Sequence, residues 1–292
     1  MKSRSSSVRW KALLLLAVAV LTACSDERGP LAEGERTAER IIAVAPNIVE
    51  LLYALDLGDR VVGVGNYSRW PPEVGTKPQI GGLFDARLER IVALQPDLAI
   101  LLPSESGLAD RLERLSIDTL IVPSNTLADV DESILAIAAR CGVPERGGRL
   151  VEELRQGLEP CRLDRSYRVA LVVGRQIRNM KEILVAGRGT FLNELLERLG
   201  AENVFAEAVA AYPQVAVEEF YRLRPDAIIE LQFVPGGYEQ LSLDWKAFPE
   251  LPAVRNGCVS VIGGDHTVVP GARLPRLYAE IRQRLMKCGS QE

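Results

Sequence analysis

Past residue 40, short uninterrupted apolar runs alternate with longer stretches in which apolar residues return every third or fourth place. The runs are IIAVA (41–45), VVGVG (61–65), LAILL (98–102), TLIVP (119–123), RVALVV (168–173), AIIEL (227–231) and CVSVIG (258–263). Continuous apolar runs of this length, rich in β-branched residues, predict parallel strands covered on both faces. Alternation with amphipathic helices predicts an α/β class. Between the fourth and fifth runs, Leu150, Val151, Leu154 and Leu158 recur at helical spacing. That spacing predicts one amphipathic helix.

The two sides of that helix share a plan. LERIVALQPDLAI (88–100) and VEEFYRLRPDAII (217–229) carry Glu, Leu, Pro-Asp and Ile at identical offsets. Upstream, VELLYALDLGDRVVGV (49–64) is similar to NELLERLGAENVF (193–205). Repeats of whole helix–strand units predict duplicated architecture. The expectation is two similar α/β lobes, 40–142 and 166–292, with mainly parallel sheets. A linker helix at 143–165 joins them. Ligands in open α/β sheets bind beyond the carboxyl ends of strands, so the ligand cleft is expected between the lobes.

The first residues set the address. Lys2, Arg4, Arg9 and Lys11 precede an uncharged run from Ala12 to Leu21. That run is too short to span a bilayer and suits a signal peptide. It ends in LTAC and resembles the bacterial lipoprotein signal, which implies cleavage of 1–23 and lipid on Cys24, with 24–39 as tether. Without the leader, 31 basic and 39 acidic residues remain. An acidic body of this kind speaks against nucleic-acid binding. Of the remaining cysteines, Cys258 opens a strand and Cys288 closes the following helix, so a 258–288 disulfide is expected. Cys141 and Cys161 bracket a helix and are expected to stay apart. No CxxC points to zinc.

Aromatics are scarce, 5% of the chain, yet Tyr67 and Trp70 sit together in YSRWPP (67–72). Pro71-Pro72 excludes a helix interior or a central strand, so both rings lie on a stiff loop at the end of the second run. Tyr212 stands beside Pro213 at the matching place in the second half, and Leu83-Phe84 holds it in the first. Tyr67, Trp70, Phe84 and Tyr212 are therefore candidates for an aromatic cage with polar tips. Asp265, His266 and Arg273 follow the last strand and are candidate polar ligand contacts. His266, the single histidine, is also a candidate axial ligand to a bound metal chelate. Arg175, Arg178 and Arg188 would favour an anionic ligand if they face the cleft. No nucleophile–base pair is readable, so no catalytic residue and no resident cofactor are expected. A chelatase-type enzyme is the rival of a different class.

RIIAVAPNIVELLYALDLGDRVVGV, YSRWPPEV, LERIVALQPDLAI, VAGRGTFLNELLERLGAENVF and YPQVAVEEFYRLRPDAII together resemble the periplasmic-binding-protein family of vitamin B12 and ferric-siderophore ABC importers. The cobalamin-binding branch is the most similar. The resemblance covers roughly residues 40–288. It implies a monomeric, lipid-anchored substrate-binding protein of the periplasm or the outer face of the cytoplasmic membrane. Its ligand would be a corrinoid, with a ferric siderophore or haem as the alternative. It implies that Tyr67 and Tyr212 flank the corrin. It also implies that Glu89 and Glu218, one per lobe, dock onto arginines of the permease dimer, which works with its ATPase. Leu83 departs from the tryptophan that branch tends to carry.

Overall fold

The computed structural model describes residues 37–82, 85–233, 236 and 238–289. The first lobe holds β1 (Ile41–Ala43), α1 (Pro46–Ala54), β2 (Val61–Val64), α2 (Leu88–Ala93), β3 (Leu98–Leu101), α3 (Ser106–Glu113), β4 (Asp118–Ile121) and α4 (Leu127–Arg140). Its four strands run in the order β2-β1-β3-β4, and every pairing is parallel. Helix α5 (Pro144–Gly157) follows and packs against α4. Pro144 in its first turn and its buried Leu150, Val151 and Leu154 account for its start and its inward face.

The second lobe holds β5 (Arg168–Gly174), β6 (Ile183–Val185), α6 (Phe191–Arg198), β7 (Glu202–Asn203), β8 (Gln214–Val215), α7 (Val217–Leu223), β9 (Ala227–Gln232), α8 (Tyr238–Trp245), α9 (Pro252–Arg255), β10 (Val259–Gly263) and α10 (Leu274–Gly289). Its order is β10-β9-β5-β6-β8, with β7 added beside β5. The β10–β9, β9–β5 and β5–β7 pairs are parallel, whereas β6 runs antiparallel to both β5 and β8. This three-stranded ribbon has no counterpart among the described residues of the first lobe. Its strands are two or three residues long outside β5, too short for a sequence pattern to disclose.

The repeat read from sequence is a repeat of backbone chemistry. Gln95 (φ 48°) and Arg224 (φ 49°) both turn left-handed ahead of their Pro-Asp. Asp97 then accepts from the Glu39 and Arg40 N–H groups at the entry to β1. Asp226 accepts from the Arg168 N–H at the start of β5. Each aspartate thus registers the strand it leads into against a neighbour in the same sheet. Alternation along β1 sends Ile41 and Ala43 into one large apolar core shared by both lobes, and Ile42 into a smaller cluster on the other face of the first sheet. The shared core also takes in α4, α5, α6 and α10, so the two lobes are bonded through packing as well as through α5.

The expected Cys258–Cys288 disulfide is absent. Both are free thiols, as are Cys141 and Cys161. Strand and helix do bring them together: burial, then the hydrogen bond with Cys258, pushes the Cys288 thiol up to about 12.

A cleft walled by both lobes

Beyond the carboxyl ends of β1, β2, β3, β4, β9 and β10 lies a cavity of about 550 Å³. That size falls within the range of small-molecule sites. The first lobe contributes Val44 to Asn47, Tyr67, Asp85, Leu102, Ser124 and Asn125; the second contributes Phe191, Tyr212, Phe233 and Val268 to Pro270. Local chemistry explains several of these positions. The Thr190 hydroxyl accepts from the Asn193 N–H and donates to the Gly187 carbonyl, capping α6 so that Phe191 stands at its mouth. The Phe191 N–H in turn donates to the Asn125 carbonyl of the other lobe, at 2.6 Å. Asp85 accepts from the Gly82 N–H at 2.7 Å and holds the loop beside Tyr67.

Tyr67 and Tyr212 therefore meet across one cavity, on the loops where the sequence places them. Tyr67 is 59% exposed at the rim. Tyr212 lies deeper, and burial pushes its hydroxyl up to about 12, so it stays a neutral donor. Phe84 and Leu83 lie outside the described residues, as does Cys24. Trp70 departs from the expected cage. It lines a separate hollow of about 660 Å³ with Tyr53, Asp59, Glu73 and Lys77, on the first lobe. The Arg273 guanidinium lies 4.9 Å from its ring centroid, a cation–π contact that already gives the ring a partner.

Asp265 and Arg273, expected as ligand contacts, bond each other at 2.6 Å, and Arg273 also bonds Glu50 on α1. Neither is among the cavity-lining residues. The arrangement ties the second lobe to the first. At Gly271 the approach is so close that an added Cβ would lie 2.7 Å from the Glu50 carboxylate. Burial pushes the Glu50 carboxyl above its ordinary value, against the pull of Arg273. His266 is no axial ligand in this structure: it is 1% exposed, with Nε2 2.8 Å from a Glu280 carboxylate oxygen. That partner lies on α10, fourteen positions on, and draws the ring under the loop.

Of the arginines read as anion-seeking, Arg175 and Arg188 have side-chain partners, whereas Arg178 is engaged through its backbone N–H. Arg175 is fully buried and bonds Glu230 and Asp244. Asp244 accepts from the Arg178 N–H as well, and exposed Arg188 pairs with Glu207. The cavity's described lining thus contains one carboxylate, Asp85, and no cation. Arg69 stands at the rim, 5.9 Å from the Phe233 ring centroid. Sequence reasoning missed Phe191 and Phe233. The cap before α6 and the end of β9 were the available signals. Glu89 and Glu218 are both exposed in the first turns of α2 and α7, without an ion pair among the described residues.

Two α/β lobes, one on a parallel sheet and one on a mixed sheet, with an apolar cleft between them define a substrate-binding class. The periplasmic binding protein family matches residues 41–265, and the chain belongs to it. Among the relatives, a vitamin B12-binding protein of Vibrio parahaemolyticus is 28% identical over 83% of this chain and 88% of its own length. Among solved structures, the periplasmic vitamin B12 binding protein BtuF of Vibrio cholerae aligns with TM-score 0.71 and 25% identity, over 87% of this chain and 98% of that one. The periplasmic heme binding protein HutB of the same organism aligns with TM-score 0.73 and 20% identity, over 84% and 98%.

Proposed function

We propose that this chain is the substrate-binding protein of an ABC importer and that its cargo is a corrinoid. The observation that carries the reading is the cleft lining: aromatic and apolar, drawn from both lobes, and without a cation among the described residues. Haem and ferric siderophores present carboxylates or other anionic oxygens, which proteins meet with arginine or lysine. A corrinoid presents mainly neutral amides around a broad ring, which suits tyrosine hydroxyls set in apolar walls. The names of the relatives point the same way. The second reading, a haem or ferric chelate, is favoured by Arg69 at the rim. A chelatase would need a metal-holding cluster, and no such group of His, Cys, Asp or Glu occurs among the described residues.

In this reading the chain binds and releases without turnover, anchored through lipid on Cys24 at the outer face of the membrane. Glu89 and Glu218 sit one per lobe in corresponding helices, a spacing suited to a two-subunit permease. Calorimetric titration with cyanocobalamin, cobinamide, haemin and a ferric siderophore tests the cargo. Corrinoid binding with no heat from haemin is expected; binding of haemin alone would move the assignment to the second reading. Glu89→Ala and Glu218→Ala are expected to impair uptake in cells while leaving affinity intact. Lost affinity in either variant would overturn the docking role.

A further inference from the structure

Helix α1 begins at the cavity with its positive end unmasked. Its N-cap is Ala45, which has no side chain to cap with, Pro46 lacks an N–H, and the first turn holds no acidic residue. The first backbone bond runs from the Val49 N–H to the Ala45 carbonyl, at 3.3 Å, so the N–H groups of Asn47 and Ile48 precede it. Val44, Ala45, Pro46 and Asn47 all line the cavity.

The second, independent observation is Asn47 itself. It is only 5% exposed, yet its carboxamide has no hydrogen-bond partner among the described residues. Asparagine at this depth is ordinarily paired with protein or with water, and the Asn47 carboxamide atoms are not among those fully buried without a partner. What exposure it keeps is to the cavity it lines.

We infer that the Asn47 carboxamide, with the uncapped first turn of α1, is the polar anchor of the cleft and receives a hydrogen-bond-accepting oxygen of the ligand. The helix end only donates, and its dipole favours partial negative charge. Asp85 in the same lining disfavours a multiply charged anion, so the oxygen belongs to a neutral carboxamide carbonyl or to a singly charged phosphodiester. The inference rests on the corrinoid reading, and a cobalamin offers both groups: amides around the ring and one phosphate in its nucleotide loop.

The test is calorimetric titration of the full chain, purified in detergent, with cyanocobalamin and with dicyanocobinamide, which lacks the nucleotide loop. Wild type is compared with Asn47→Ala and Asn47→Asp, and a thermal melt checks that each variant folds. Asn47→Ala is expected to bind up to about tenfold more weakly, the loss of one hydrogen bond. Asn47→Asp, which sets a carboxylate against the acceptor, is expected to bind more weakly still. Equal losses for both corrinoids assign the oxygen to a ring amide; a loss confined to cyanocobalamin assigns it to the phosphate. If Asn47→Asp does not fold, Asn47→Ala decides alone. Variants that bind both corrinoids as tightly as wild type overturn the anchor and leave the corrinoid reading standing. A wild type that binds neither overturns the reading, and the anchor with it.

Discussion

Two buried arginines, one in each of two networks, show how differently this fold uses charge. Arg175 is enclosed within the second lobe, and both it and Glu230 are fully buried. Every partner is supplied there: Glu230 also accepts from the Trp245 indole N–H at 3.0 Å, and Arg175 donates to the Leu241 carbonyl. Arg273 instead bridges lobes, and its network is incomplete. The Glu50 Oε2 and Arg273 Nε atoms are buried without partners. A complete network fixes α8 onto its sheet. The bridging one joins two lobes, and it leaves part of its bonding capacity unused.

Breaking the complete network has the largest expected effect. Arg175→Ala strands Glu230 as an unpaired buried carboxylate and is expected to cost about 3–5 kcal/mol in urea unfolding. A loss below about 1 kcal/mol would mean that the network does not hold α8 to its sheet.

A third buried carboxylate sharpens the comparison because it has no cation partner among the described residues. Glu105 is 3% exposed and, among the described residues, accepts only from the Leu102 N–H, at 2.8 Å. Burial pushes its carboxyl from 4.5 up to about 7. The folded state therefore holds a proton that the unfolded state releases. Stability from this group is present below about 4.5 and is lost as pH rises through about 7. Glu105→Gln is expected to remove that decline and to raise stability at pH 8 by an amount of the order of 3 kcal/mol. Parallel pH profiles for the two proteins would refute the assignment.

The smallest effect is expected at the bridge. Arg273→Met should cost about 1–2 kcal/mol near neutrality, because Glu50, already pushed up by burial, can take a proton instead of staying charged. The cost should shrink further at pH 5. A cost as large as that of Arg175→Ala would erase the distinction between the two networks.

Much of the fold was legible because it repeats. Seven apolar runs became strands within a residue or two of their ends, and the Pro-Asp repeat proved to be the same backbone clamp used twice. Tyr67 and Tyr212 were legible for the same reason, since loops that follow parallel strands share one end of the sheet. Trp70, Asp265, His266 and Arg273 read as ligand contacts because their partners were invisible in sequence. Glu50 lies 223 positions from Arg273, and Glu280 sits on a helix whose facing cannot be read from the loop before it. Asn47 passed unnoticed inside an apolar helix start, where only the cavity gives it meaning. The β6–β8 ribbon was too short to leave a pattern.

The central claim is that the cargo sits between Tyr67 and Tyr212, in the cleft walled by both lobes. The most direct measurement is cyanocobalamin affinity by calorimetry in wild type, Tyr212→Ala and Trp70→Phe. Weakening of tenfold or more in Tyr212→Ala, with Trp70→Phe close to wild type, is the predicted result. Affinity lost in Trp70→Phe and kept in Tyr212→Ala would contradict it and move the cargo to the other hollow.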